Sequence, residues 1–457
     1  MNKYVKDKDF NKALYSVAIP VALQTMLSSS FSVVDQIMIG QLGSTDIAGV
    51  GLAGRFASLH GVVSGAIATV AGIMIAQYMG KKSRKDIEKS ISVNILLALI
   101  TAVIFTAVSL FFPSRIMSLY TEDVSTLDVA AGYLSVIAFT FVMQAVQGTT
   151  ATILRCMNKA SFTLFAGIAS AVINTFLNYL LIFGKFGAPA MGVKGAAIAT
   201  VCAQCVYALI LTTAAVSNFK KVYGFFRPSI NLGADGFRQY LSILLPILIT
   251  EFLWGLGENV YSTIYGHLGT EPCAAMTLIS PVIVLTIGAL SGVSQAAGII
   301  IGKLLGKGDY DEAYEKSKLL MFYGLVCALI LSFMLIILKK YYVNLYQVDD
   351  RVKTTAIMIM VAFATVSPIK TLNMILGGGI LRSGGVTKLL TIIDTIGTWG
   401  FGVPLGLLSA YVWNLTIPNV YFLLSLEELV RLLISLFIFR KRIWMNSLKT
   451  TEEKENG

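Results

Sequence analysis

The sequence predicts an all-α polytopic membrane protein: twelve transmembrane helices as two parallel six-helix repeats. Three observations predict this. The chain is 56% hydrophobic and only 13% charged, with a mean hydropathy of +0.74, whereas soluble domains sit at roughly 45–50% apolar and about 25% charged. Twelve apolar stretches, centred near residues 27, 66, 102, 139, 171, 204, 251, 286, 328, 366, 398 and 427, are each long enough to cross a bilayer as a helix rising about 1.5 Å per residue. Finally, the sequence matches itself at a shift of 226 residues.

The first stretch follows a lysine-bearing amphipathic lead and is too long for a signal-peptide core, so it is read as a retained helix. The period-2 alternation of barrel strands is absent, and helices satisfy their own backbone in lipid. With both termini cytoplasmic, 26 of the 36 Lys and Arg fall in cytoplasmic segments and 7 in external loops. Arg55, Lys370 and Arg431 fall within spans. This is the positive-inside bias, clearest in "GKKSRKDIEK" (80–89) and "FRKRIWMNSLK" (439–449). The formal charge of +11 is therefore a topology signal for the plasma membrane, not a nucleic-acid footprint. Only the external loop 339–353, with four positives, runs against it.

In the repeat, "QLGSTDIA" (41–48) meets "HLGTEPCA" (267–274) and "AGIMIAQYMGK" (71–81) meets "AGIIIGKLLGK" (297–307). Ten positions between 20 and 81 recur as identities, from Pro20/Pro246 to Gly80/Gly306 and Lys81/Lys307. At a shift of 227, "ILR" (153–155) recurs at 380–382. Each half holds six helices, an even number, so the halves share one orientation about a pseudo-twofold along the membrane normal. The expected divisions are an N-terminal lobe (1–218), a basic cytoplasmic linker (219–240), a C-terminal lobe (241–446) and a polar cytoplasmic tail (447–457). Parallel repeats of this kind are a transporter architecture, with the site between halves.

Ionisable groups at bilayer depth are costly and point to function. Gln24, Ser28, Ser32 and Asp35 are spaced four, four and three apart, which places them on one face of the first helix. Two readings of Asp35 stand. It forms a structural ion pair with Arg55, which enters the second helix at comparable depth, or it is a carboxylate that exchanges a proton or cation. Its repeat equivalent is Tyr261, so the acid is not a requirement of the fold. The seventh helix carries Glu251, Trp254 and Glu258 on one face, a set suited to an organic cation through charge and cation–π contact. The alternative is a packing cluster neutralised by Lys370. Asn174, Asn178, Gln144 and Gln147 either line a cavity or join helices by hydrogen bonds. Glu427, Glu428 and Arg431 are spaced to neutralise one another.

Enzyme motifs are missing: there is no Walker A sequence, and His60 and His267 lack metal-site spacing. Cys202 and Cys205 form a CxxC inside an apolar span and are read as core cysteines. No catalytic residue, metal or cofactor is expected, and a multipass membrane enzyme is the remote alternative.

"VDQIMIGQLG" (34–43), "AQYMGK" (76–81), "FGAPAMGVKGAAIATV" (186–201), "LPILITEFLWGLGENVYSTIYGHLG" (245–269), "ILRSGGVTK" (380–388) and "WGFGVPLGLL" (399–408), in this order and spacing, resemble the multidrug and toxic compound extrusion (MATE) family over nearly all of residues 12–445. The resemblance implies two six-helix lobes forming a V. It further implies export of organic cations or amphiphiles in exchange for H+ or Na+ by alternating access. The expected partners are a small organic substrate and membrane lipid, and the chain is expected to be a monomer. Asp35 matches the family's first-helix aspartate and is expected to couple the ion, with Glu251 as second coupling group or substrate counter-charge. Gln24, Gln144, Gln147, Asn174, Asn178, Trp254, Glu258 and Lys370 are the expected substrate-cavity residues. The sequence departs from the family at Asn178, where many members carry Asp, and at Trp254, where sodium-coupled members carry Glu. Near Pro368–Lys370 their tenth-helix Asp is missing. A lipid-linked or polysaccharide flippase of the same superfamily is the rival reading, for which more cavity-facing cations would be expected.

Overall fold

The computed structural model describes residues 7–230, 233–451 and 453, and every regular element among them is helical. In the first half these are α1 (Lys8–Gly40), α2 (Ser44–Gly80), α3 (Arg84–Phe111), α4 in two segments (Val124–Ile137 and Phe139–Cys156), α5 (Ser161–Phe183) and α6 (Gly192–Tyr223). In the second they are α7 (Gly233–His267), α8 (Thr270–Lys307), α9 (Tyr310–Val343), α10 (Asp350–Leu381), α11 (Thr387–Val412) and α12, again in two segments (Ile417–Leu424 and Glu427–Arg440). Ten described helices are unbroken, long and apolar enough to span a membrane, and α4, bent by 45°, is an eleventh when its segments are joined. The twelfth is α12, interrupted at Ser425 and Leu426 and loaded with the charges of Glu427, Glu428 and Arg431. The expected twelve helices are all present.

Local chemistry sets the ends. Asp123, in extended conformation, caps α4 by accepting from the Thr126 amide at 3.0 Å. Its carboxyl is held down to about 2 by the Thr126 hydroxyl first, then by Ser125. Gly184, at φ 67°, ends α5 in the left-handed region that a side chain resists. Within α7, Pro246 has no N–H for the Ser242 carbonyl. Thr387 of α11 donates to that carbonyl instead, at 3.3 Å, and Thr391 bonds the Pro246 carbonyl at 2.9 Å. The backbone break in α7 is thus satisfied by hydroxyls, as an apolar surround demands.

The chain forms two compact units: an N-terminal unit of residues 23–75 and 82–237, and a C-terminal unit of residues 1–22, 76–81 and 238–457. These divisions differ from the expected ones. The basic segment 219–240 is not one linker, because α6 runs on to Tyr223 and α7 starts at Gly233. What lies between is held to α3: Arg84 donates to the Phe225 carbonyl (2.6 Å), and the amides of Arg227 and Ser229 donate to Glu88 (3.2 Å) and Ser92 (3.0 Å). Residues 231 and 232 lie outside the described residues.

The end of α2 joins the C-terminal unit through a reciprocal crossing. A Cβ on Gly80 would strike the Lys303 carbonyl, and one on Gly306 would strike the Gln77 carbonyl. Gly80 and Gly306 are repeat equivalents, as are Gln77 and Lys303, so the repeated glycines exist to let α2 and α8 touch backbone to backbone. The polar tail also packs rather than trailing. Leu448 is buried and its amide donates to Gln77 Oε1 at 2.7 Å, while Lys81 pairs with Glu453 at 2.7 Å. Residues 452 and 454–457 of the tail, and Lys3 and Lys6 of the amphipathic lead, lie outside the described residues.

Each unit has its own apolar core. Ile39, Met117, Leu134 and Ala196 centre one in the N-terminal unit; Ile279, Met360, Phe363 and Val420 centre one in the C-terminal unit. Outward positions on α3 and α9, such as Val103, Ile104, Ile330 and Phe333, are apolar and exposed. Such a surface is at rest in lipid and not in water.

Candidate functional site

The N-terminal unit encloses a cavity of about 420 Å³. Gln24, Ser28, Ser32 and Asp35 all line it, as their helical spacing on α1 requires. Gln144 and Gln147 of α4 and Asn174 of α5 complete the expected set. Tyr207 of α6, which the sequence did not single out, also lines it and accepts a hydrogen bond from Gln24 Nε2 at 2.7 Å. Asn178 is fully buried beside the lining; its Nδ2 donates to Asp35 Oδ1 at 2.5 Å and to Asn174 Oδ1 at 3.2 Å. Asn174 in turn donates to Thr200 at 3.4 Å, and Gln147 to the Gln204 carbonyl at 2.9 Å. Gln144 Oε1 faces His60 Nδ1 at 3.3 Å. The amides therefore line the cavity and join helices at once.

Arg55 is the correction in this unit. It is exposed and makes no ion pair among the described residues, so it is not the partner of Asp35. It is not among the residues that line the cavity with Asp35, so a place near the same end of the neighbouring helix does not bring it to the carboxylate. A neutral amide, Asn178, holds the carboxylate instead.

The C-terminal unit encloses a second cavity of about 310 Å³, built by α7, α10, α11 and α12. Glu251, Trp254 and Lys370 line it as expected, and the alternative pairing of Glu251 with Lys370 is not formed. Lys370 does not neutralise Glu251: Lys370 Nζ lies 3.7 Å from Glu428 Oε1, and Glu251 lies 3.8 Å from Arg382 Nη1. Glu258 is exposed and lines neither cavity: it shares the face of α7 that carries Glu251 but lies two turns, about 10 Å, farther along the helix.

Two charged residues here went unnoticed in the sequence, Arg382 and Asp394. Arg382 is not among the cations expected within spans, but α10 widens into a π-helical segment at Met374–Leu381 that carries the helix on to it. Such segments recur at functional sites. Arg431 ties the cluster together, 3.9 Å from Asp394, 3.5 Å from Glu427 and 4.0 Å from Glu428, and hydrogen-bonded to the Thr398 hydroxyl. Glu427 also accepts from the Tyr261 hydroxyl at 2.6 Å, and Glu428 from Asn373 at 2.8 Å. The lining thus carries three cations, Lys370, Arg382 and Arg431, and three acids, Glu251, Asp394 and Glu428.

Comparison with known proteins agrees with this duplicated architecture. The MatE family model matches residues 20–180 and again residues 246–408, two matches that begin 226 residues apart, the offset of the internal repeat. The chain is similar to the uncharacterized transporter YisQ of Bacillus subtilis (strain 168), 24% identical over 445 residues and covering 96% of each. It is also similar to the multidrug resistance protein MdtK of Edwardsiella ictaluri (strain 93-146), 28% identical over 430 residues, 91% of this chain and 90% of that one. In fold it resembles the crystal structure of a MATE in complex with MaL6, with a TM-score of 0.83 over 94% of this chain and 96% of the other at 17% identity. A MOP superfamily transporter from Pyrococcus furiosus, described as having a binding pocket of reverse polarity that suggests a different function, superposes with a TM-score of 0.82 over 94% and 95% at 16% identity.

Proposed function

The chain belongs to the MatE family of membrane transporters, and from that premise we propose that it is a secondary active antiporter exporting small organic cations or amphiphiles in exchange for H+, with Na+ as the alternative ion. It is a transporter and not an enzyme. The observation that carries the coupling assignment is the setting of Asp35, a carboxylate facing a cavity and held by the Asn178 amide with no cation paired to it among the described residues. A carboxylate locked to a guanidinium loses a buried counter-charge when protonated, which costs several kcal/mol. One held by an amide takes up and releases a proton without stranding a partner. Gln24, Gln144, Gln147 and Asn174 then supply neutral polar contacts for the substrate, with the chain acting as a monomer in the plasma membrane and both termini in the cytoplasm. The multidrug resistance named for the MdtK relative supports this substrate class.

The test is efflux of a fluorescent cation from reconstituted vesicles under separate H+ and Na+ gradients. Wild type should respond to the proton gradient alone, and Asp35→Asn should fold but lose that response. Normal transport by the variant would remove Asp35 from the coupling role and leave Glu251 as the next residue to test. A second reading, a flippase for lipid-linked or polysaccharide cargo, is favoured by one feature: Lys370, Arg382 and Arg431 all line the C-terminal cavity. It predicts that expression restores envelope assembly without changing sensitivity to ethidium-like cations.

A further inference from the structure

We propose that the C-terminal cavity is a binding site for amphoteric organic ligands, in which Arg382 takes the ligand's carboxylate while Glu251 and Asp394 take its ammonium group. The proposal rests on the transporter reading above and names a substrate class for this cavity.

The six charges of the lining fall into two sets. Arg431 and Glu428 are committed: their side chains are 11% and 8% exposed, and they are hydrogen-bonded to Thr398 and Asn373. Glu427, just behind the wall, is held in the same way by Tyr261 and Arg431. The other four are open. Lys370, Arg382, Glu251 and Asp394 have side-chain exposures of 37%, 20%, 35% and 33%, and none of their charged groups makes a hydrogen bond to a described residue. A hydrogen-bonded ion pair closes to about 2.7–2.9 Å. Lys370–Glu428 and Arg382–Glu251 stop at 3.7 and 3.8 Å, so Lys370, Arg382 and Glu251 are balanced in charge while their charged groups stay without hydrogen bonds. Arg382 Nε and Arg431 Nε are both buried without a hydrogen-bond partner among the described residues, but only Arg431 has another guanidinium nitrogen engaged, by Thr398.

This arrangement discriminates by charge pattern. A ligand of a single sign would bring an uncompensated charge into a lining that is already balanced, three against three, at low dielectric. A ligand carrying both signs adds no net charge and meets both sets of open groups. Trp254, half exposed and one turn along α7 from Glu251, offers an apolar face for the body of such a molecule.

The test uses the purified full-length protein in nanodiscs and three probes with one indole body: tryptamine, indole-3-propionate and tryptophan. Tryptophan should bind at least about tenfold tighter than either single-charge probe, because each of these leaves an open group unmet. Arg382→Gln should bring tryptophan to within about threefold of tryptamine, and Arg382→Lys, which keeps the charge and controls for folding, should retain part of the gap. Tryptamine binding as tightly as tryptophan to wild type, a gap unchanged in Arg382→Gln, or no binding by any of the three would each overturn the proposal. Because no gradient is applied, failure here is distinct from failure of the Asp35 coupling assignment, which is read only in gradient-driven efflux.

Discussion

The two cavities occupy matching halves of a duplicated chain, yet they hold charge in opposite ways. In the N-terminal unit Asp35 stands among amides and hydroxyls. At its repeat equivalent the C-terminal unit places Tyr261, a phenol that donates to Glu427, and builds a six-charge lining nearby. The duplicated scaffold is shared while the chemistry is divided. One half can change its charge by one proton without stranding a partner; in the other, each charge is balanced by a neighbour. On the proposals above, a group of the first kind takes up the coupling proton and groups of the second kind recognise the substrate.

The largest effect that sharpens this contrast is expected at Arg431. Its guanidinium lies within 4.0 Å of three carboxylates, Asp394, Glu427 and Glu428. Arg431→Leu leaves these acids with Lys370 and Arg382 alone, and removing one partner of a buried ionic cluster costs about 3–5 kcal/mol. Denaturant unfolding of the purified protein measures it. Asp35→Asn, in the same experiment, should stay within about 1 kcal/mol of wild type, because the substituted amide oxygen still accepts from Asn178. Equal losses in the two variants would break the comparison.

How much of this was legible in the sequence depends on the distance over which each feature is encoded. The helices are local: hydropathy over about 20 residues finds them, and even α12 shows itself despite its charges and its break at Ser425. The polar stripe of α1 is local too, and the spacing of Gln24, Ser28, Ser32 and Asp35 put all four in one cavity. Partnerships are not local. Asp35 and Asn178 are 143 positions apart, and Glu251 meets Arg382 from a different helix. The two ion pairs weighed as alternatives, Asp35 with Arg55 and Glu251 with Lys370, could not be decided from sequence because spacing along one helix does not say which face of another helix it meets. Arg382 was visible only as the end of the repeated "ILR", because a π-helical segment extends α10 beyond its expected end. Asp394 lies well inside an apolar stretch, and that alone should have marked it.

The next effect in size tests the amide that replaces the expected cation. Asn178 is fully buried and its Nδ2 serves both Asp35 and Asn174. Asn178→Leu removes both contacts in a similar volume, and losing a hydrogen bond to a charged group costs about 1.5–3 kcal/mol. The same unfolding measurement reads the loss, and proton-driven efflux should weaken with it, because Asp35 is then unsupported. Unchanged stability with unchanged efflux would mean that this amide does not hold the carboxylate, and the contrast between the two cavities would lose its N-terminal half.

The smallest effect is expected where the sequence reading placed the strongest electrostatic partner. Arg55 sits about three turns into α2, exposed, with no ion pair among the described residues. Its backbone carbonyl accepts from the Ser58 hydroxyl at 2.6 Å, and that bond survives a change of its side chain. Arg55→Gln should therefore shift stability by no more than about 0.5 kcal/mol and leave proton-driven efflux within about twofold of wild type. If efflux instead falls as far as in Asp35→Asn, the guanidinium reaches the carboxylate at another stage of the cycle. Asp35 would then be a switched ion pair, with proton uptake releasing Arg55 and not merely filling a lone site. The double variant separates the two cases: independent sites give efflux losses that multiply, whereas a switched pair gives a double variant no worse than either single one.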